Sequence, residues 1–176
     1  VGRPVRAMVV GVPNVGKSTF INRVAKRKSA KAQDRPGVTR GKQWVAVDAG
    51  LDLLDTPGIL WPKFEDQTTG MYLAFTGAVR DDIMDVETLA RHFMELLAAR
   101  YPQAVTARYK IEIPDGADGW ALLERAARRR GFLISGGEAD LERMAYVLLD
   151  EYRGGKLGRF TLELPENQAG KEEDAS

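Results

Sequence analysis

The chain has 176 residues, no cysteine, and 26 Lys and Arg against 25 Asp and Glu, for a formal net charge of +1. That length holds one ordinary domain or two small ones, its 44% hydrophobic content is enough for a packed core, and the lack of cysteine excludes disulfides and thiolate metal sites. No apolar run reaches the length of a bilayer span and no signal-peptide pattern opens the chain, so no membrane partner is expected and a reducing cytoplasm is the simplest home.

The first element reads as a short buried strand, Val5 to Val10. It runs into Gly11-Val12-Pro13-Asn14-Val15-Gly16-Lys17-Ser18, a match to G-x-x-x-x-G-K-[ST], the phosphate-cradling loop of P-loop nucleotide hydrolases. Helical spacing follows from Thr19 to Arg27, with Phe20, Ile21 and Val24 on one side. Strand, glycine loop and helix in that order let the backbone N–H groups of Asn14, Val15, Gly16, Lys17, Ser18 and Thr19 close around phosphate oxygens, with the helix N-terminus adding positive charge. Lys17 then reaches the β- and γ-phosphates, and the Ser18 hydroxyl ligates Mg²⁺.

A loop rich in Lys, Gln, Asp, Pro and Gly spans Lys28 to Gly41 and contains Pro36-Gly37-Val38-Thr39. Thr39 stands where GTPases carry a switch threonine, whose hydroxyl completes the Mg²⁺ shell and whose backbone senses the γ-phosphate. Gln43–Val47 and Leu51–Leu54 read as strands, and Asp48-Ala49-Gly50 between them is short enough only for a hairpin. Asp55-Thr56-Pro57-Gly58 fits D-x-x-G: Asp55 at a strand end holds Mg²⁺ through water, and the Gly58 N–H bonds the γ-phosphate. PGxT and DxxG are each weak alone. In this order behind a P-loop they specify a GTPase-type site.

Past about Thr69 the period becomes helical. Val86, Leu89, Ala90, Phe93, Leu96 and Leu97 share one face, with Asp85 as N-cap and a stop at Tyr101-Pro102. A second helix starts at Asp118 and stops at Gly131; a third carries Leu141 to Tyr152 and ends at Gly154-Gly155. Phe160 to Leu164 alternates as a short extended segment, and the acidic tail after Glu166 reads as disordered. His92, the single histidine, lies on a helix and reads as a surface or packing residue.

Charge is uneven along the chain. Residues 1–70 hold 12 Lys and Arg against 6 Asp and Glu, most of the surplus falling between Arg23 and Lys42. A solvated helix end with a soluble loop and a basic rim that meets RNA phosphates both account for it. Arg125, Arg128, Arg129 and Arg130 form a basic helix end that dipole complementarity explains as well as RNA contact does.

Together GVPNVGKST, PGVT and DTPGILWPKF, followed by a helical tail that includes Lys156-Leu157-Gly158-Arg159-Phe160, resemble the ribosome biogenesis GTPase A family (YlqF-type) from Arg6 to about Leu164. The resemblance implies an α/β P-loop GTPase fold, here a partial, circularly permuted G domain over 1–79, then an all-helical C-terminal RNA-binding domain over 80–165 and a disordered acidic tail over 166–176. It implies a GTP-binding and hydrolysing assembly factor for the large ribosomal subunit, with the subunit precursor and rRNA as partners, no DNA, and GTP or GDP with Mg²⁺ as ligands. Catalytic roles fall on Lys17 and Thr39, nucleotide contacts on Asn14 to Thr19, Thr39 and Gly58, and Mg²⁺ on Ser18, Thr39 and Asp55. In GTPases of this kind an Asn at the position of Asn14 accompanies K⁺ beside the phosphates, though the same residue also suits a simple turn.

Two departures matter. No [NT]-K-x-D follows Gly58, and in permuted relatives that guanine-reading motif precedes the P-loop. The first strand is then expected to be an unpaired edge, and this stretch alone to bind nucleotide weakly and to aggregate. Ile59 occupies the place where many GTPases carry a water-orienting Gln, so slow intrinsic turnover, accelerated by the ribosomal particle, is expected. The rivals are an RNA-modification GTPase and a non-catalytic RNA-binding module with a vestigial nucleotide site. Leu60-Trp61-Pro62-Lys63-Phe64 and the helical tail argue against the first, and intact Lys17, Ser18, Thr39 and Asp55 against the second.

Overall fold

The computed structural model describes residues 3–25, 41–60, 66–79 and 85–163. These fall into two compact units that divide between Asp85 and Val86. The Thr39 loop (26–40), the stretch 61–65 that includes Trp61 to Phe64, Leu164 and the acidic tail lie outside the described residues.

The first unit is a three-stranded sheet of β1 (Val5–Val9), β2 (Gln43–Asp48) and β3 (Leu51–Asp55), with helices α1 (Lys17–Val24) and α2 (Gln67–Phe75). β3 lies in the middle, parallel to β1 and antiparallel to β2. The tight β2–β3 connection is the expected hairpin, and the Asp48 carboxylate accepts the Gly50 N–H at 2.7 Å to close it. A parallel neighbour requires a crossover, and α1 lies on that path.

Strand alternation decides which side chains meet α1. Val45 and Leu53 pack on Ile21 and Ala25, with Val9, Val24, Val47 and Leu51 around them. Phe20, grouped with Ile21 by its sequence spacing, is instead 55% exposed. It sits about 100° round the helix from Ile21, and so short a helix presses only the 21/24/25 stripe onto the sheet. The other face of the sheet carries Met8 and Trp44, 61% and 49% exposed, with the Arg6 guanidinium 5.1 Å over the Trp44 ring. Among the described residues no strand pairs with the outer edge of β1.

α2 escaped the sequence pattern because Met71 to Phe75 is a continuous apolar run rather than a stripe. Its start is nonetheless well defined: the Asp66 carboxylate accepts the Thr69 hydroxyl at 2.8 Å and the N–H groups of Thr69 and Thr68, each at 2.9 Å, and these bonds, the hydroxyl's first, lower its pKa.

The second unit holds α3 (Val86–Arg100), α4 (Pro102–Tyr109), α5 (Gly119–Arg130) and α6 (Leu141–Arg153). Phe93, Met94 and Leu97 of α3 meet Leu122 and Leu123 of α5 and Met144, Leu148 and Leu149 of α6 in a fully enclosed core. α5 comes so close to α3 that a Cβ at position 119 would overlap the Arg91 carbonyl, so only glycine fits there. Asp118 and Asp140 cap α5 and α6 through the N–H groups of Ala121 and Arg143 at 2.8 and 3.0 Å. No described helix is long and apolar enough to cross a membrane.

Two sequence expectations change here. Tyr101-Pro102 does end α3, but Pro102 also opens α4, because a first-turn proline gives up an N–H that has no helical partner. Phe160 to Glu163 forms no strand. Phe160 packs on Tyr101 with ring centroids 4.7 Å apart, and the Tyr101 hydroxyl and Arg100 guanidinium each donate to backbone carbonyls of this stretch at 2.8 Å, at Thr161 and Leu162.

The four helix-end arginines separate into two kinds. Arg130 donates to the buried Glu151 carboxylate at 3.1 Å and stacks over Tyr109, while Arg108 grips the same carboxylate through Nε and Nη2 and the Tyr109 hydroxyl donates at 3.1 Å. Arg128 pairs with Glu124 and donates to the Gly137 carbonyl at 3.1 Å. Arg125 and Arg129 make no ion pair among the described residues and are exposed. Burial pushes the Tyr109 hydroxyl pKa up strongly, which keeps it a donor to Glu151. His92 sits beside Arg91 and Glu95 on α3, as expected of a surface residue.

Candidate functional site

The site grows from the junction of β1 and α1. Between them Asn14 and Gly16 both adopt left-handed backbone, at φ 58° and 91°. This turns the chain sharply into α1. Gly16 is the N-cap of α1 and provides no side-chain hydrogen bond, and the first turn carries no acidic residue. α2, α5 and α6, by contrast, each have an Asp at that place. The positive end of α1 is thus left without a capping carboxylate, as suits an anion.

Lys17 arches back over the loop, its Nζ donating to the carbonyls of Gly11 at 3.1 Å and Val12 at 2.8 Å. Burial lowers its pKa, and the Asp55 carboxylate opposes that shift. The ammonium is therefore held above the loop by groups that share it readily with phosphate.

Across from the loop, β3 delivers Asp55 at its last position, opposite Val9 in the parallel register. The Thr56 hydroxyl donates to the Val9 carbonyl at 2.8 Å and ties the two strand ends together. The Ser18 hydroxyl donates to Asp55 Oδ2 at 2.7 Å. Asp55 is only 2% exposed, and its second oxygen, Oδ1, is buried without a hydrogen-bond partner among the described residues. A buried, half-satisfied carboxylate beside a serine hydroxyl fits a divalent cation, which supplies the missing charge. No group of three or more His, Cys, Asp or Glu side chains forms a metal cage among the described residues.

Gly58 lies hard against the loop. A Cβ there would stand 2.5 Å from the Cα and N of Pro13 and 3.0 Å from Lys17 Nζ, so the D-x-x-G glycine is demanded by the close approach of two backbones. Ile59 beside it is 79% exposed.

Of the residues read from sequence, Asn14 to Thr19, Asp55 and Gly58 are brought to one place. Thr39 lies outside the described residues. Sequence reasoning missed Thr56 as the strand-end tie, Pro13 as the surface Gly58 rests on, and Gly77, whose carbonyl accepts the Asn14 Nδ2–H at 2.9 Å. The first two lie inside the motifs that were read. The third joins residues 63 apart and has no local signal.

Comparison with known proteins gives the same picture. The sequence profile of the family described as "50S ribosome-binding GTPase" matches residues 6–100. Ribosome biogenesis GTPase A of Bacillus cereus is 46% identical over 173 residues, covering 98% of this chain and 58% of that protein. The Priestia megaterium protein of the same name is 49% identical over 164 residues, covering 93% and 56%. The chain thus spans somewhat over half the length of these relatives. Among solved structures, GDP-bound YlqF from TM aligns with a TM-score of 0.65 at 28% identity, over 94% of this chain and 63% of that one. GNP-bound YlqF from T. maritima aligns at 0.58 and 30%, over 94% and 62%.

Proposed function

The chain belongs to the 50S ribosome-binding GTPase family, with ribosome biogenesis GTPase A proteins among its relatives, and on that premise we propose that it is the GTP-binding and hydrolysing portion of a cytoplasmic assembly factor for the large ribosomal subunit. The observation that carries this reading is the convergence of the uncapped α1 N-terminus, Lys17 and the Ser18–Asp55 pair with its unsatisfied Oδ1 on one spot.

The backbone N–H groups of Val15 to Thr19 hold the phosphates, and Lys17 moves from the Gly11 and Val12 carbonyls to the β- and γ-phosphates. Ser18 and Asp55, with Thr39 from the loop between α1 and β2, hold Mg²⁺. When bound, this ion neutralises charge that develops on the transferring phosphoryl group. Gly58 bonds the γ-phosphate through its N–H, from a position beside Pro13 that only a residue without a Cβ can take. Ile59 cannot polarise a water, so turnover is slow until the ribosomal particle completes the site. Asn14 fits K⁺: its Nδ2 is taken by Gly77, which leaves an oxygen beside the phosphate loop.

The edge of β1 that no described strand pairs with, and the exposed Met8 and Trp44 face, suit further packing elements of a permuted G domain. The G-domain part runs to about residue 79, and the helical part over 80–165 is the rRNA-binding module. There Arg125 and Arg129, free of ion pairs among the described residues, are the arginines available for phosphate.

The test is a calorimetric titration of the intact protein with GDP and with a non-hydrolysable GTP analogue in Mg²⁺, followed by turnover with and without precursor large-subunit particles. Micromolar or tighter binding and faster turnover on particles are expected. No heat with either guanine nucleotide overturns the reading.

A further inference from the structure

Asn14 offers something that a turn-supporting residue does not need. Its side-chain amide has a donor end and an acceptor end, and the Gly77 carbonyl can only accept. The 2.9 Å contact therefore fixes Nδ2 toward Gly77 and turns Oδ1 the opposite way, with no hydrogen-bond partner among the described residues. The group that fixes it is itself firmly held. Gly77 ends α2 at φ 77°, its N–H donates to the Ala74 carbonyl and the Ala78 N–H donates to the Leu73 carbonyl, both at 3.0 Å. This paired closure is the tight form of helix ending, and Phe75 and Ala78 on either side of it are only 1% and 2% exposed.

We infer that the Gly77 carbonyl is a positioning group for Asn14: by taking the Nδ2 proton it presents Oδ1 to a monovalent cation beside the nucleotide phosphates, so that cation occupancy and the anchored end of α2 are coupled. The inference rests on the K⁺ reading of Asn14 given above. Its logic is that of outer partners that orient a ligand and thereby share in the binding free energy. A carbonyl oxygen joined to phosphate oxygens makes an all-oxygen ligand set, the kind that suits K⁺. Because binding and orientation are linked, whatever the cation gains from an oriented Asn14 it returns as stabilisation of the Asn14–Gly77 bond. In the chain α2 follows closely on the D-x-x-G segment.

The experiment uses the intact protein loaded with a non-hydrolysable GTP analogue, with amide hydrogen exchange at Gly77 and Ala78 followed in KCl and in NaCl at equal ionic strength. KCl is expected to slow both amides, by up to about tenfold when K⁺ stands at ten times its dissociation constant. Asn14→Ala erases that difference. Asn14→Asp, which keeps an oxygen and tolerates left-handed backbone but has no proton for Gly77, erases it too. If wild-type exchange is equal in the two salts while KCl still tightens nucleotide binding, the cation site works without Gly77 and the coupling is wrong. If KCl alters neither exchange nor nucleotide affinity, the K⁺ reading itself falls and the coupling with it. Slowing that survives in Asn14→Ala also overturns the proposal.

Discussion

In the helical unit Phe93, Met94, Leu97, Leu122, Leu123 and Met144 have no exposed surface, whereas in the sheet unit Ile21 and Val45 are enclosed while Met8, Trp44 and Phe20 remain about half exposed or more. The difference follows from how many sides of each apolar layer are covered. Four helices close around a shared interior, each contributing one stripe. A three-stranded sheet with one helix packed on it buries one face and leaves the other bare. The candidate site sits in the unit with the open face: Asp55 and Gly58 stand at and just past a strand end, and Lys17 and Ser18 open the helix that follows the glycine loop. Strand ends and loops are where ligand groups accumulate, since they hold backbone donors that regular structure has not consumed.

Substitutions can break this division of labour. The largest effect is expected from Phe93→Ala, which removes a ring packed 4.6 Å from Tyr152 and should lower the unfolding free energy of the helical unit by about 3–5 kcal/mol. Denaturant titration measures it; a nucleotide affinity that falls in parallel would show that the two units do not divide the work as described. Lys17→Ala is the converse. It should cut GTP turnover by about a hundredfold to a thousandfold, roughly 3–4 kcal/mol, with the thermal transition of the helical unit unmoved.

Glu151→Ala comes next, at about 3 kcal/mol in the same denaturant titration, because Arg108, Arg130 and the buried Tyr109 hydroxyl lose their shared acceptor. Glu151→Leu should recover part of this by refilling the volume.

The smallest effect is a pH dependence. Burial raises the Glu151 pKa, but hydrogen bonds from Arg108 and Tyr109 and the charges of Arg130 and Arg108 outweigh it, so the net shift is below the ordinary 4.5. A carboxyl depressed in the folded state contributes stability that is present above 4.5 and is lost as pH falls through its lowered value. Acid titration of the helical unit should therefore show a loss in that window that Glu151→Gln flattens.

Much of this architecture could be read from short stretches of sequence. The phosphate loop, the D-x-x-G glycine, the hairpin turn and the start of α5 were legible because each depends on residues a few positions apart, such as Asp118 before Gly119. α2 was not, since an apolar run without a stripe gives no period to detect. α4 was hidden by Pro102, which marks a stop and a start equally well. In the candidate site, the motifs named Lys17, Ser18, Asp55 and Gly58, while the contacts that hold them in place were invisible. Thr56 reaches Val9 and Asn14 reaches Gly77 across 47 and 63 positions, distances at which only the folded chain decides who meets whom. The same holds for Arg130, whose place in a basic run disguised its bond to Glu151.

Arg6 lies over Trp44 on the uncovered face of the sheet, spanning the middle strand at 5.1 Å. A guanidinium resting on an indole is a loosely hydrated lid that swings aside at small cost, and it keeps the ring from presenting a bare greasy surface to copies of the same molecule. Whatever settles on that face displaces one flexible arm and inherits a dry aromatic seat beneath it.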